Sequence, residues 1–262
     1  MAKKSYDIVK MCLWCGAMSM DVPFNKKAHT IPKSLGGQNY NKFVCDSCNN
    51  YFGDRASNNN KYSIEEALKE TFIITRTRLL IPGKIKRKVG RFKSKFFEVK
   101  EKNGRYSLSI KHQFKFSPGF QNELCHSFKR GLYKMFFEEF NLQKGFGMEA
   151  KYDIIRAFAR YNKIYLPVFY FRRKIGILAL IESEAETPIL LFDRIKYLFS
   201  DDKFIEIEFL GHVFGFPITD FNTVDLQNYL VESSKLKISF FLPAIELKKL
   251  TDIDFTLSIM NN

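Results

Sequence analysis

The chain has 262 residues, 45% of them hydrophobic and 16% aromatic, enough apolar mass for a packed core in one large or two modest domains. No apolar run approaches the roughly 18–20 residues of a membrane-spanning helix, and the start "MAKKSYDIVKMC" has lysines but no apolar leader segment; a cytoplasmic protein is expected. The net charge of +14 is uneven: residues 1–62 carry +5, 84–105 carry +8 and 201–262 carry −5. This distribution suits a polyanion-binding front and a C-terminal part that does not grip nucleic acid, although a solvated lysine-rich surface would give the same balance.

The first feature along the chain is a pair of cysteine knuckles. "CLWC" supplies Cys12 and Cys15, "CDSC" supplies Cys45 and Cys48, and the whole reads C-x2-C-x29-C-x2-C. Zinc takes four soft ligands in a tetrahedron, two from each tight turn. In a chain expected to stay in a reducing compartment, this spacing favours metal over disulfides; a rubredoxin-like iron site uses the same ligands and is the alternative. A four-cysteine zinc is coordinatively filled, so it braces a small unit without activating water. The fifth cysteine, Cys125, falls in an apolar helical pattern and reads as a buried small hydrophobe. Between the knuckles, "AHTIPKSLGG" sets His29 ahead of a Thr-Ile-Pro turn and a Gly-Gly pair. Gly36 and Gly37 allow a sharp turn and close backbone approach, and Pro32 stiffens the exit from the histidine. His29 is therefore expected on a short hairpin leading back to the second knuckle.

The polar run "RASNNNK" reads as a linker, and "SIEEALKETF" after it as a helix with Ser63 as N-cap and Glu65 and Glu66 in its first turn. "KNGR" at 102–105 suits the loop of a hairpin between "KFFEV" and "RYSLSI". Upstream of it, Lys84, Lys86 and Lys88 share one face of an extended strand. Phosphate contacts from Lys84, Lys86, Arg87, Lys88, Arg91 and Lys93 would give salt-sensitive affinity without reading sequence. The interleaved Phe92, Phe96 and Phe97 also suit the buried face of a hairpin. Helical spacing follows at Leu124, Phe128, Leu132, Met135 and Phe136, then at Ile154, Ile155, Phe158 and Tyr161. Beyond residue 163 come strand-like runs, "IYLPVFYF", "IGILALI", "FIEIEFLGHVFGFPI" and "KISFFLP", the third alternating as a half-buried strand does. His112, His126 and His212 sit among apolar or aromatic residues and read as structural. The expected division is 1–62, a metal-bound unit; 63–162, a basic hairpin and helices; and 163–262, a β-rich part, in an α+β protein.

Taken together, "AHTIPKSLGG…N…CDSCNNYFG" resembles an HNH nuclease of the bacterial type, whose ββα-metal motif is braced by a four-cysteine zinc. The motifs that carry the resemblance lie within residues 12–53. It implies that His29 is the general base that takes a proton from the attacking water, which an ordinary histidine pKa near 6.5 permits at cellular pH. Asn41, with Asn39 in reserve, would hydrogen-bond the loop backbone and orient the histidine. Asn49 would help hold a catalytic Mg²⁺ or Mn²⁺, since its amide oxygen is a hard ligand; that metal would bind the scissile phosphate and stabilise the leaving 3′-oxygen. Lys33 and Arg55 are candidate phosphate contacts or plain surface charges. Many family members carry an acid just before the histidine as a second metal ligand. Here that residue is Ala28, so a carboxylate must come from elsewhere, Asp54 being nearest in sequence.

The resemblance thus implies a metal-dependent endonuclease acting on DNA, double-stranded DNA first, in restriction or antiphage defence. Residues 163–262 would then supply specificity, a sensor for an activating ligand, or a homodimer interface. The alternative is a zinc-stabilised nucleic-acid-binding module without catalysis.

Overall fold

The computed structural model describes residues 9–55, 62–80, 93–102, 105–174, 187–192, 203–237 and 240–258. Lys84, Lys86, Arg87, Lys88 and Arg91, with the strand-like run at 175–181, lie outside the described residues. The chain is a mixture of helix and strand, with a ββα unit at its N-terminal end and a five-stranded sheet at its C-terminal end.

In the N-terminal unit, β1 (Ala28–His29) pairs antiparallel with β2 (Tyr40–Asn41), setting His29 opposite Tyr40 and Ala28 opposite Asn41. A 3-10 turn at Lys33–Leu35 ends on Gly36, left-handed at φ +100°. Gly37 lies where the loop folds back on itself: a Cβ there would sit 2.0 Å from the Ile31 carbonyl oxygen. Only glycine permits that approach. Helix α1 (Asp46–Gly53) then starts directly after Cys45, and its Phe52 packs on Trp14 from the first knuckle with ring centroids 4.7 Å apart.

Helix α2 (Ile64–Leu79) is capped by Ser63, whose hydroxyl accepts the Glu66 amide at 3.1 Å. Strands β3 (Phe97–Lys102) and β4 (Arg105–Ile110) form the expected hairpin, with Lys102 opposite Arg105. Phe96 and Phe97 are buried at its base, so these two phenylalanines belong to the core. The central element is α3 (Pro118–Lys144), which carries its stripe of Leu124, Phe128, Leu132, Met135 and Phe136 fully buried. A helix buried on nearly every side must also dispose of charge, and Lys129, Arg130, Lys134 and Glu138 are all buried on it. Beyond it, α4 (Asp153–Ile155) runs into a π-helical turn at Arg156–Arg160.

The C-terminal sheet is antiparallel throughout. Its order is β6 (Leu190–Phe192), β7 (Phe204–Phe209), β8 (His212–Pro217), β5 (Phe169–Phe171) and β9 (Ile245–Glu246). Leu210 and Gly211 join β7 to β8 with positive φ of +48° and +81°, the twist a two-residue hairpin favours. Period 2 sends Ile205, Ile207, Phe209, Phe214 and Phe216 into the cluster around α3, and Phe204, Phe169, Phe171 and Val213 into a second cluster. Helix α5 (Thr223–Lys237) covers that second face, with Tyr229 stacked on Phe204 at 4.4 Å.

Two expectations are corrected here. β7 and β8 are buried on both faces rather than half-buried, because α5, from a stretch in which the sequence shows no strand-like run, covers the second face. Among its described residues the "KISFFLP" run contributes the last residue of α5, Lys237, and a lone bridge from Phe241 to Arg173 rather than a strand. One hydrophobic cluster runs from Cys12 to Ile253 through α2 and α3, joining the ββα unit to the sheet. No helix among the described residues is long and apolar enough to cross a membrane.

Candidate active site

The two knuckles bring Cys12, Cys15, Cys45 and Cys48 together with all four Sγ atoms within 4.8 Å of one another. Cys15 and Cys45 are 3.8 Å apart. Zinc–sulfur bonds of about 2.3 Å give tetrahedral edges of about 3.8 Å, so the four thiols enclose a site of the size zinc needs. Cys12, Cys45 and Cys48 are buried and Cys15 is exposed. The Cys45 amide donates to Cys12 Sγ at 3.4 Å, and Arg160 Nε donates to Cys48 Sγ at 3.3 Å. Hydrogen bonding with Cys48 draws the Cys12 thiol down to about 4 against the opposing effect of burial, while the same contact pushes Cys48 up and burial raises Cys45 to about 11; four thiolates together would need a bound cation to balance them. Arg156 Nε, from the same π-helical turn, holds the Leu13 carbonyl at 2.8 Å.

His29 faces a separate cavity of about 220 Å³ between β1, α1 and the start of α2, where Asn49, Asp54 and Glu65 also line the wall and Lys27 and Lys33 stand exposed. A second cavity of about 380 Å³ shares Gly53, Asp54 and Glu65 with it. His29 Nδ1 lies 3.1 Å from the Lys27 carbonyl. A carbonyl only accepts, so Nδ1 carries the proton and Nε2 keeps its lone pair. The His29 pKa is lowered from its ordinary 6.5, first by burial and then by the cations of Lys134 and Lys33, against the opposing effects of the Lys27 carbonyl and Glu65. The imidazole is thus held neutral, able to accept a proton at neutral pH.

Strand alternation turns the neighbouring residues the other way. Ala28 and Asn41 are both buried. Asn41 uses both ends of its amide: Oδ1 accepts from the Phe43 amide at 2.8 Å, and Nδ2 donates to the Glu138 carbonyl on α3 at 2.9 Å. Asn39 is exposed, and its carbonyl takes the Thr30 amide at 3.1 Å.

Helix α3 also reaches the site through side chains. Lys134, fully buried, donates to the His29 carbonyl and pairs with Glu65 at 3.0 Å and Glu138 at 3.1 Å. Glu138 accepts the indole N–H of Trp14 at 2.9 Å, which reaches the first knuckle. Burial pushes the Glu138 carboxyl up to about 7, with Lys134 and Trp14 opposing that shift.

The structure therefore brings His29, Asn49 and Lys33 to one cavity and sets Asn41 behind it. Arg55 is bound bidentately to Glu66 at 2.8 and 2.6 Å, and Lys93 is exposed and does not line the cavity. Of the remaining histidines, His112 is exposed, His126 Nε2 lies 2.6 Å from Asn162 Oδ1, and His212 is buried against Tyr170. Sequence reasoning left out Glu65 as a cavity residue, having read it only as a first-turn acid, and it left out Lys134 and Glu138 altogether. The one available signal was a Lys–Glu pair at i, i+4 inside an otherwise apolar stripe.

Residues 12–62, which hold the cysteine site, the β1–β2 hairpin and α1, match the family model described as HNH endonuclease. No curated protein and no solved structure matches the chain. Over residues 12–62 the N-terminal unit is thus similar to HNH endonucleases, and its four-cysteine cluster is compatible with structural zinc.

Proposed function

We propose that the protein is a metal-dependent DNA endonuclease in which His29 is the general base. The observation that carries this reading is the imidazole itself. Its Nδ1 is engaged by the Lys27 carbonyl, and its ring faces the cavity that Asn49 lines. In this reading, Nε2 takes a proton from a water molecule in the cavity as the water attacks the scissile phosphorus. Lys27 and Lys33 attract the phosphate backbone to the cavity. Asn41 keeps the β1–β2 turn in place through the Phe43 amide and the Glu138 carbonyl.

Asn49, with the carboxylates of Asp54 and Glu65 on the same cavity, offers hard oxygen donors of the kind Mg²⁺ or Mn²⁺ takes. When bound there, the metal would polarise the phosphate and stabilise the departing 3′-oxygen. Ala28 is buried and supplies nothing to this cavity. That absence is the observation favouring the second reading, a zinc-braced nucleic-acid-binding module without catalysis.

Restriction or antiphage defence in the cytoplasm is the setting we propose, on the strength of the HNH resemblance. Residues 63–162 would add a basic nucleic-acid grip, and residues 163–262 specificity, sensing of an activating ligand, or pairing of two copies for double-strand cleavage. The test is incubation with plasmid DNA and Mg²⁺ or Mn²⁺, with and without EDTA, beside His29→Ala. Metal-dependent nicking that disappears in His29→Ala, with zinc content and DNA binding kept, is the expected result. Cleavage that survives in His29→Ala would refute the assignment. DNA binding without cleavage under either metal would favour the second reading. Loss of phage resistance in cells carrying His29→Ala would test the setting.

A further inference from the structure

The structure assigns Lys134 of α3, far outside the matched HNH segment, as the positioning residue of the His29 strand. This inference rests on the nuclease reading of His29 and deepens it. An ammonium group has three N–H donors, and Lys134 meets three oxygens: the His29 carbonyl, Glu65 at 3.0 Å and Glu138 at 3.1 Å. The side chain is fully buried. A lysine is rarely buried in this way unless it is fully paired, because an unpartnered cation in the interior is strongly unfavourable.

Each of the three partners leads to a different part of the site. The His29 carbonyl belongs to the residue whose imidazole faces the cavity. Glu65 is itself a wall of that cavity. Glu138 accepts the Trp14 indole at 2.9 Å, and its main-chain carbonyl holds Asn41. One ammonium therefore fixes the base, the cavity carboxylate and the first knuckle relative to one another. β1 is only two residues long, and two ladder pairs cannot hold a strand rigidly. The lysine supplies the missing restraint from below. Its side chain is fully buried, so it acts through His29, Glu65 and Glu138.

The test uses the full-length, zinc-loaded protein and compares Lys134→Arg, Lys134→Met and the double variant Lys134→Met/Glu138→Gln. The single Met variant leaves Glu138 buried without its cation; the double variant removes that charge and separates positioning from folding. Two quantities are read: kcat and KM for plasmid nicking, and the His29 ring tautomer from imidazole nitrogen NMR shifts. In wild type the Nδ1–H tautomer is expected to dominate. In the double variant we expect a normal melt and full zinc content. We also expect a kcat loss approaching the roughly hundredfold typical of a misplaced group, with KM unchanged and a mixed tautomer. Lys134→Arg, which keeps the cation, is expected to recover part of kcat.

A double variant with wild-type kcat and wild-type tautomer would overturn the proposal. If wild type cleaves nothing, the nuclease reading fails by itself. The tautomer comparison still decides the positioning: a mixed tautomer in the double variant supports it and an unchanged one refutes it.

Discussion

Gly131 sets how closely α3 approaches α2, and Gly131→Ala tests whether that approach shapes the site. A Cβ at Gly131 would lie 2.5 Å from Leu68 Cγ and 2.8 and 3.0 Å from its two methyl carbons. Leu68 is fully buried, and the clash falls on its Cγ, which rotation about χ2 does not move, so relief needs a change of χ1 or a shift of the helices. Two effects oppose each other. Alanine gains about 1 kcal/mol over glycine in a helix interior, whereas forcing a methyl into a packed core costs about 1–3 kcal/mol. Contacts below 3.0 Å put this site at the upper end of that range, and a net loss of about 1–2 kcal/mol is expected. Gly119, also on α3, is the internal reference, since a Cβ there meets nothing within 4 Å. Gly119→Ala should be neutral or stabilising by up to about 1 kcal/mol. Chemical denaturation of both variants measures the difference, and nicking assays should show that only Gly131→Ala lowers kcat, because the α2–α3 spacing carries Glu65 to Lys134. If Gly131→Ala proves as stable as Gly119→Ala, the argument from Leu68 is wrong.

Trp14, the only tryptophan, is buried between the first two cysteines and bonded to Glu138; stripping the metal with a strong chelator should red-shift its fluorescence and lower the melting temperature, since metal binding at such a site is coupled to folding. An unchanged spectrum on complete removal would argue against a structural metal. The pH dependence of nicking should follow His29: activity falls as pH drops through its pKa, because the protonated ring cannot accept a proton. With that pKa below 6.5, activity at pH 6.5 should already exceed half its plateau, and a midpoint well above that value would contradict the electrostatics described here. His212, fully buried, is held down to about 3 by burial. Below pH 6.5 the unfolded chain takes up this proton before the folded one does, so stability falls with pH by up to about 1.4 kcal/mol per unit. His212→Phe should flatten the decline of denaturation midpoints between pH 7 and pH 5. An unchanged slope would mean that other groups control it.

What was legible in the sequence was local. The cysteine spacing, the His-Thr-Ile-Pro stretch and the Gly-Gly pair lie within one short segment whose geometry is set by turns and hydrogen bonds close in the chain, so the knuckles and the β1–β2 hairpin could be read directly. The Ser63 cap and the apolar period of α3 were legible for the same reason. α5 was not, because the face it buries its Tyr229 against is made by Phe169, Phe171, Phe204 and Val213 from three strands distant in sequence. The hidden half of the site has the same origin. Ala28 leaves an acidic position empty, and the sequence offered only Asp54 nearby, whereas the cavity also takes Glu65 from a helix read simply as capped. Lys134 lies more than a hundred residues beyond His29, and no local period could show that its charge belongs under β1. The chain's local chemistry determined which groups could act, and the burial of α3 against the ββα unit decided which of them meet, because an interior charge must be satisfied by whatever partners the packing brings to it.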